Sequence, residues 1–248
     1  MHDLLQLPWH HLLLAAVVTF LAGLVQGTIG LGFSIVSVPI LMLADPRFAP
    51  VPQLLIRVPM VIYMIRREHA SLDLKGAIWT TIGRFPGTLA GIALLTVASQ
   101  GMLDAVIAAI VLVGVLALSR GWSIRRTALN ESVAGFFSGL GAFVSSIGGP
   151  PLALLYRNAD GPTIRATLAL IFGVGVGVTL GGRFLAGRIT GLDFELAAFM
   201  LMPMALGLWA SRFLLGRVEG APLRRAILAV CAVAGGGLAL RAIFSAIG

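Results

Sequence analysis

Two short glycine-rich stretches and four arginines are the residues of this chain whose types and spacing could do chemistry. The stretches are Gln26-Gly27-Thr28-Ile29-Gly30-Leu31-Gly32-Phe33-Ser34 and Ser145-Ser146-Ile147-Gly148-Gly149-Pro150-Pro151, and each interrupts an apolar run. A helix broken inside a membrane leaves N–H and C=O groups unpaired, which is tolerated only where the backbone is buried or faces a polar cavity. Glycine lets a ligand or another backbone come close, and proline pre-sets the start of the following helix. The free N–H groups at the positive end of that helix attract anions, and Ser or Thr hydroxyls complete the cradle. On this reading the first stretch offers Gln26, Gly27, Thr28, Gly30, Gly32 and Ser34 to a substrate. The second offers Ser145, Ser146, Gly148, Gly149 and Pro150. The simpler alternative is close helix packing, which is how Gly23-xxx-Gly27 and Gly83-xxx-Gly87-xxx-Gly91 read.

The arginines are Arg57, Arg84, Arg165 and Arg183, all within apolar segments. An arginine at a helix centre costs about 2.5–3.5 kcal/mol on insertion scales, so it marks a pathway or an ion pair. Arg57 is mid-segment and Arg84 lies two residues before Pro86; both are candidates to face a substrate path, with carbonyl capping at the Pro86 kink as the structural alternative for Arg84. Arg165 and Arg183 stand nearer segment ends, where snorkelling to the interface is expected. All ten carboxylates fall in loops or at segment ends. Buried cation binding or proton relay uses intramembrane Asp or Glu, so arginines without buried acids point to an anion as cargo. The four histidines are terminal or interfacial, and no Ser/His pairing suggests a hydrolase. Gly173-Val174-Gly175-Val176-Gly177 lacks the strand a nucleotide loop needs and reads as packing. Cys231 stands alone, so neither an internal disulfide nor a cysteine metal site is expected. No catalytic residue, metal ligand or cofactor emerges.

The elements that must position these groups are membrane segments. The 248 residues are 58% hydrophobic and 11% charged, with a mean hydropathy of +0.99. Soluble domains carry roughly 25% charged residues, so a soluble or disordered chain is excluded. The net charge of +8 comes from 17 Arg and one Lys scattered between apolar runs. No basic stripe with interleaved aromatics points to nucleic acid. No basic region precedes the first apolar run, so a cleaved signal peptide is not expected.

Apolar runs fall at about 9–27, 31–44, 52–66, 76–98, 101–119, 131–144, 147–157, 162–187, 192–215 and 221–247. Crossing a bilayer takes about 20 apolar residues. The runs at 31–44, 131–144 and 147–157 are too short, and each adjoins a Gly-rich break, the sign of discontinuous or re-entrant helices. Ala22-Gly23-Leu24-Val25-Gln26-Gly27 aligns without gaps on Ala134-Gly135-Phe136-Phe137-Ser138-Gly139, and the same offset of 112 places Pro39 on Pro151. Pro86 and Pro203 take similar places in later helices, with a small insertion. The single transmembrane domain, 1–248, thus divides into repeats of about 1–120 and 131–248.

With five segments per repeat, loops on one side hold eleven basic residues, among them Arg66, Arg67, Lys75, Arg120, Arg125 and Arg126, against Arg47, Arg188 and Arg241 on the other. Four segments per repeat would split the charge evenly, so the positive-inside rule favours five. An odd number inverts the second repeat relative to the first and places both termini outside the cytoplasm. The expected fold is all-α and polytopic, with two inverted repeats whose first two segments each form a broken hairpin.

The duplicated pattern resembles the TauE/SafE sulfite exporter family: Ala22-Gly23 through Gly32 and Pro39 in one half, and Ser138-Gly139 through Ile147-Gly148-Gly149-Pro150 in the other. The likeness covers essentially the whole chain. The second tip matches the family pattern well, while Phe33-Ser34 stands where the family extends its glycines. The resemblance implies a permease of the bacterial inner membrane for sulfite, organosulfonates or related small anions. The expected function is therefore export of such an anion by alternating access, with the two tips, Arg57 and Arg84 as the site. The bilayer and the anion are the expected partners; a homodimer is compatible with this reading and nucleic acid is not. Rival readings are an anion channel of the same architecture, an intramembrane enzyme acting on an anionic lipid, and a scaffold subunit without transport.

Overall fold

The computed structural model describes residues 7–48, 51–97, 124–145, 148–185 and 189–217, with a few isolated positions besides, and every regular element among them is helical. In chain order these are α1 (Trp9–Ile29), α2 (Phe33–Ala44), α3 (Val51–Arg67), α4 (Leu74–Val97), α5 (Ala128–Ser145), α6 (Gly149–Leu155), α7 (Gly161–Leu185) and α8 (Gly191–Ser211). The segments expected at 101–119 and 221–247 lie outside the described residues.

Helices α1, α7 and α8 are each long and apolar enough to cross a bilayer. At 1.5 Å per residue the 21 residues of α1 cover roughly 31 Å. The runs at 31–44 and 147–157 are short helices, α2 with 12 residues and α6 with seven, whereas the 131–144 run, expected to be short as well, belongs to the 18-residue α5. The 52–66 run becomes the 17 residues of α3, with Pro59 inside it.

Local chemistry explains where the helices start and stop. Thr190 caps α8 with a reciprocal box: its hydroxyl accepts from the Asp193 N–H, and the Asp193 carboxylate accepts from the Thr190 N–H. Asp73 accepts from the Gly76 N–H at the start of α4, and Asp160 from the Thr163 N–H at the start of α7. Gly30 ends α1 in the left-handed region, φ 89°, with its N–H on the Gln26 carbonyl. The chain then doubles back, so that Asp45, just past α2, lies 3.9 Å from His11 in the first turn of α1. The Arg47 guanidinium, 2.6 Å from Asp45, holds that carboxyl below the usual carboxylate range.

Two apolar clusters form the core. One joins α1, α2 and α3 with α8; the other joins α4, α5, α6 and α7 with Ile29 and Leu31 at the end of α1. The first three helices before residue 98 thus pack with the last helix of the second set, and the reverse holds for α4. Glycines make both crossings close. A Cβ on Gly23 would meet the Met204 backbone, and one on Gly207 the Phe20 carbonyl. On the other side, a Cβ on Gly135 would meet the Thr80 carbonyl, and one on Gly83 the Ser132 carbonyl. The packing read for Gly23-xxx-Gly27 and for Gly83, Gly87 and Gly91 is therefore present.

These contacts fix helix directions. Helix α8 runs parallel to α1, because Gly23 meets Met204 and Gly27 meets Ser211; α5 runs parallel to α4, because Gly83 meets Ser132 and Gly87 meets Phe136. Gln53 and Arg67 of α3 reach Met200 and Ser211, so α3 follows α8. Helix α7 runs against α3: Val61 touches Gly173 mid-helix, and Arg165 in its first turns meets Glu68 just past the end of α3.

Helix α4 exposes Leu74, Ile78, Ile82, Phe85, Leu89 and Ile92, a stripe at helical spacing. Water would penalise such a face, and lipid does not.

Candidate functional site

Gln26 holds the first break together. Its side-chain amide donates to the Gly30 carbonyl at 2.8 Å, and its carbonyl oxygen accepts the Phe33 N–H at 3.1 Å. One buried carboxamide thereby satisfies the last carbonyl before the break and the first N–H after it. Gly32, at φ 120°, turns the chain between them in a conformation L side chains avoid. Gln26→Leu is expected to leave both backbone groups unpaired, each costing about 1–3 kcal/mol, and to lower the thermal unfolding midpoint in detergent. An unchanged midpoint would remove the clamp role.

The remaining carbonyls at the end of α1 are held by cations. Arg67 donates to the Gly27 carbonyl at 2.8 Å, and Arg165 to the Thr28 carbonyl at 3.3 Å. Cations suit this negative helix end. Glu68 balances them, accepting from Arg165 at 2.8 Å and lying 3.4 Å from Arg67. Burial raises the Glu68 carboxyl above its ordinary value, and the two arginines pull it back. This corrects the expectation for Arg165: it does not snorkel but is wholly buried, 1% exposed, and has an acid beside it. The sequence places Glu68 in a loop, and only the antiparallel packing of α3 and α7 brings it to Arg165.

Between the two breaks lies a cavity of about 370 Å³. Its polar wall includes Gln26, Ser34, Gln53, Arg57, Arg84 and Arg183, and glycines 32, 148 and 149 reach it from the breaks. Among the described residues no Asp or Glu lines it. Arg57 donates to the Ser34 hydroxyl at 2.7 Å, while its Nε is buried without a partner among the described residues. Arg84 donates to the Ser138 hydroxyl at 3.2 Å and lies over the Phe172 ring, 5.4 Å from its centroid. Gly175 leaves the room, since a Cβ there would stand 2.9 Å from the Arg84 Nη2. Arg57 and Arg84 line the same cavity, and an anion there would meet two like charges and the Arg57 Nε–H, which has no partner among the described residues.

The structure thus brings Gln26, Gly32, Ser34, Arg57, Arg84, Gly148 and Gly149 to one cavity. Four other residues of the two stretches stand outside its wall. Gly27 packs on Ser211 and Gly30 on Arg165. The Thr28 hydroxyl donates to the Leu24 carbonyl within its own helix, and Pro150 is buried in the first turn of α6. The Ser145 side chain and Ser146 lie outside the described residues. Sequence reasoning passed over Ser138 and placed Arg183 at the interface, whereas Arg183 lines the cavity. Ser138 had a signal: it is the repeat mate of Gln26.

Helices with lipid-compatible faces around a cavity lined by Arg57, Arg84 and Arg183, with no acid among the described residues, define a multi-pass membrane protein. Among the described residues no group of His, Cys, Asp and Glu is arranged to hold a metal ion. The family model for sulfite exporter TauE/SafE matches residues 15–238, and the chain belongs to that family of membrane transporters. No curated protein and no solved structure matches it.

Proposed function

We propose that the protein exports a small sulfur oxyanion, sulfite or an organosulfonate, by alternating access. The observation that carries this is the placing of Arg57 and Arg84 in one cavity with no carboxylate among the described residues. The two arginines would hold the oxygens, Ser34 and Gln26 would frame the first break, and Gly148 and Gly149 would let the anion approach the second.

The helix directions support an inverted-repeat architecture. The Asp73 N–H donates to the Thr167 hydroxyl and Arg84 lies over Phe172, so α4 follows α7. Matching the halves then pairs α1 with α5, α3 with α7 and α4 with α8, and each pair runs in opposite directions. The contact between Val61 and Gly173 joins residues 112 apart, the repeat offset, so equivalent positions touch where a pseudo-twofold axis would pass. Such a pair of halves can rock about that axis and open the site to either face. The excess of arginine in the 66–75, 120–126 and 212–225 loops supports placing them in the cytoplasm of a bacterial inner membrane, with both termini outside.

Export needs no coupling ion on this scheme, because a cytoplasm-negative potential drives an anion outward by about 2.3 kcal/mol per charge per 100 mV. Flux is measured in proteoliposomes loaded with sulfite. An interior-negative potential of roughly 100 mV should sustain an outward gradient of ~50-fold for a monovalent anion. Saturable efflux that rises with the potential is the expected result; efflux indifferent to it would remove this mechanism, and conductance without saturation would favour a channel.

A further inference from the structure

We propose that Ser138 is a positioning residue for Arg84, tying that guanidinium to the second helix break. Ser138 is fully buried on α5, and its hydroxyl accepts from the Arg84 Nη1 at 3.2 Å. The same hydroxyl stands against the break: a Cβ on Gly148 would lie 2.9 Å from the Ser138 Oγ and 2.6 Å from its carbonyl oxygen. Gly148 is therefore the residue that leaves this hydroxyl its place. The next residue, Gly139, would bring a Cβ 2.9 Å from the Arg84 Cγ, so α5 accommodates both the stem and the head of the arginine.

The arrangement has a counterpart at the first break. Arg57 donates to the Ser34 hydroxyl at 2.7 Å, and Ser34 stands two residues beyond Gly32. Arg57 and Arg84 are thus each held by one serine hydroxyl beside one break. Ser138 occupies the position of Gln26 in the internal alignment, and Gln26 bonds across the first break directly. The same repeat position serves both breaks, once by clamping the backbone and once by holding a cation.

The geometry also limits what the hydroxyl does. It satisfies one of the five guanidinium N–H groups and fixes the plane of the fork. Because Ser138 acts through Arg84, losing it weakens anion binding only while Arg84 is present.

This role rests on the reading of Arg84 as an anion-binding group, and a double-mutant cycle separates the two. Sulfite efflux from proteoliposomes is compared for wild type, Ser138→Ala, Arg84→Gln and the double variant, with KM and maximal rate measured for each. Ser138→Ala is expected to raise KM by about fivefold to tenfold, the scale of one hydrogen bond to a charged group, with the maximal rate within about twofold. Added to Arg84→Gln it should change KM by less than about twofold. Losses that multiply in the double variant, an unchanged KM in Ser138→Ala, or a raised KM in Ser138→Ala when Arg84→Gln behaves as wild type would each overturn the positioning role. Absence of saturable flux in the wild type would overturn the transport reading, and this role with it. Should Ser138→Ala insert poorly, Ser138→Cys, which keeps the volume and weakens the acceptor, enters the same cycle with the same outcomes.

Discussion

Arg57→Gln is expected to reduce sulfite flux about 10- to 100-fold, the worth of a hydrogen bond to a charged group, roughly 1.5–3 kcal/mol, while leaving the protein about as stable as before. Both parts follow from what surrounds the side chain. Arg57 is half-buried, donates to Ser34 and has a buried Nε without a partner among the described residues. Among the described residues no carboxylate lines its cavity, so removing the charge strands no acid there. Glutamine keeps a donor for the Ser34 hydroxyl and loses the planar fork that grips two oxygens at once. Arg57→Lys, which keeps the charge and loses the fork, should fall between the two. Flux normalised to folded protein in the liposomes checks this. Wild-type flux in Arg57→Gln would remove Arg57 from the site, and a collapse of the unfolding midpoint would show that its role is structural.

Arg165→Leu is expected to do the opposite: to destabilise by about 3–5 kcal/mol, the cost of breaking one side of a buried ion pair, and to reduce flux only as far as folded protein is lost. Arg165 is 1% exposed and donates to both oxygens of Glu68, at 2.8 and 3.0 Å, and to the Thr28 carbonyl. Its loss leaves a buried carboxylate with only Arg67 at 3.4 Å and an uncapped carbonyl at the end of α1. Adding Glu68→Gln should recover part of the loss, because the stranded charge is then gone while the Thr28 carbonyl stays unpaired. Unfolding midpoints of the single and double variants in detergent measure this. Equal midpoints for wild type and Arg165→Leu would mean that the pair contributes nothing to holding α3, α7 and the end of α1 together.

The two variants differ in outcome although both residues are arginines in apolar helices; the sequence separated them by position along their segments, but not by the contact that decides their roles. What distinguishes Arg57 from Arg165 is whether an acid lies beside it, and the acid in question is 97 residues away. The cavity was partly legible. Gly32, Gly148 and Gly149 were read as breaks from composition and repeat alone, and they reach it. Gly27, Thr28 and Gly30 were read with them because they are neighbours in sequence. In a helix, neighbours point in different directions, and these three face Ser211, their own backbone and Arg165.

By itself the sequence determined the helical membrane class, since 58% apolar and 11% charged residues have no other place to bury so much surface. It also marked where the chain breaks, and it carried the family resemblance that the match over 15–238 bears out. Tertiary structure decided which arginine is free and which is paired, that α4 and α8 each pack with the other set of helices, and that Ser138 faces Arg84. The physical reason is one of range. Hydropathy and glycine breaks act between neighbours along the chain, so they are written in order; an ion pair, a close crossing or a shared cavity depends on which helix faces arrive together, and packing alone sets that.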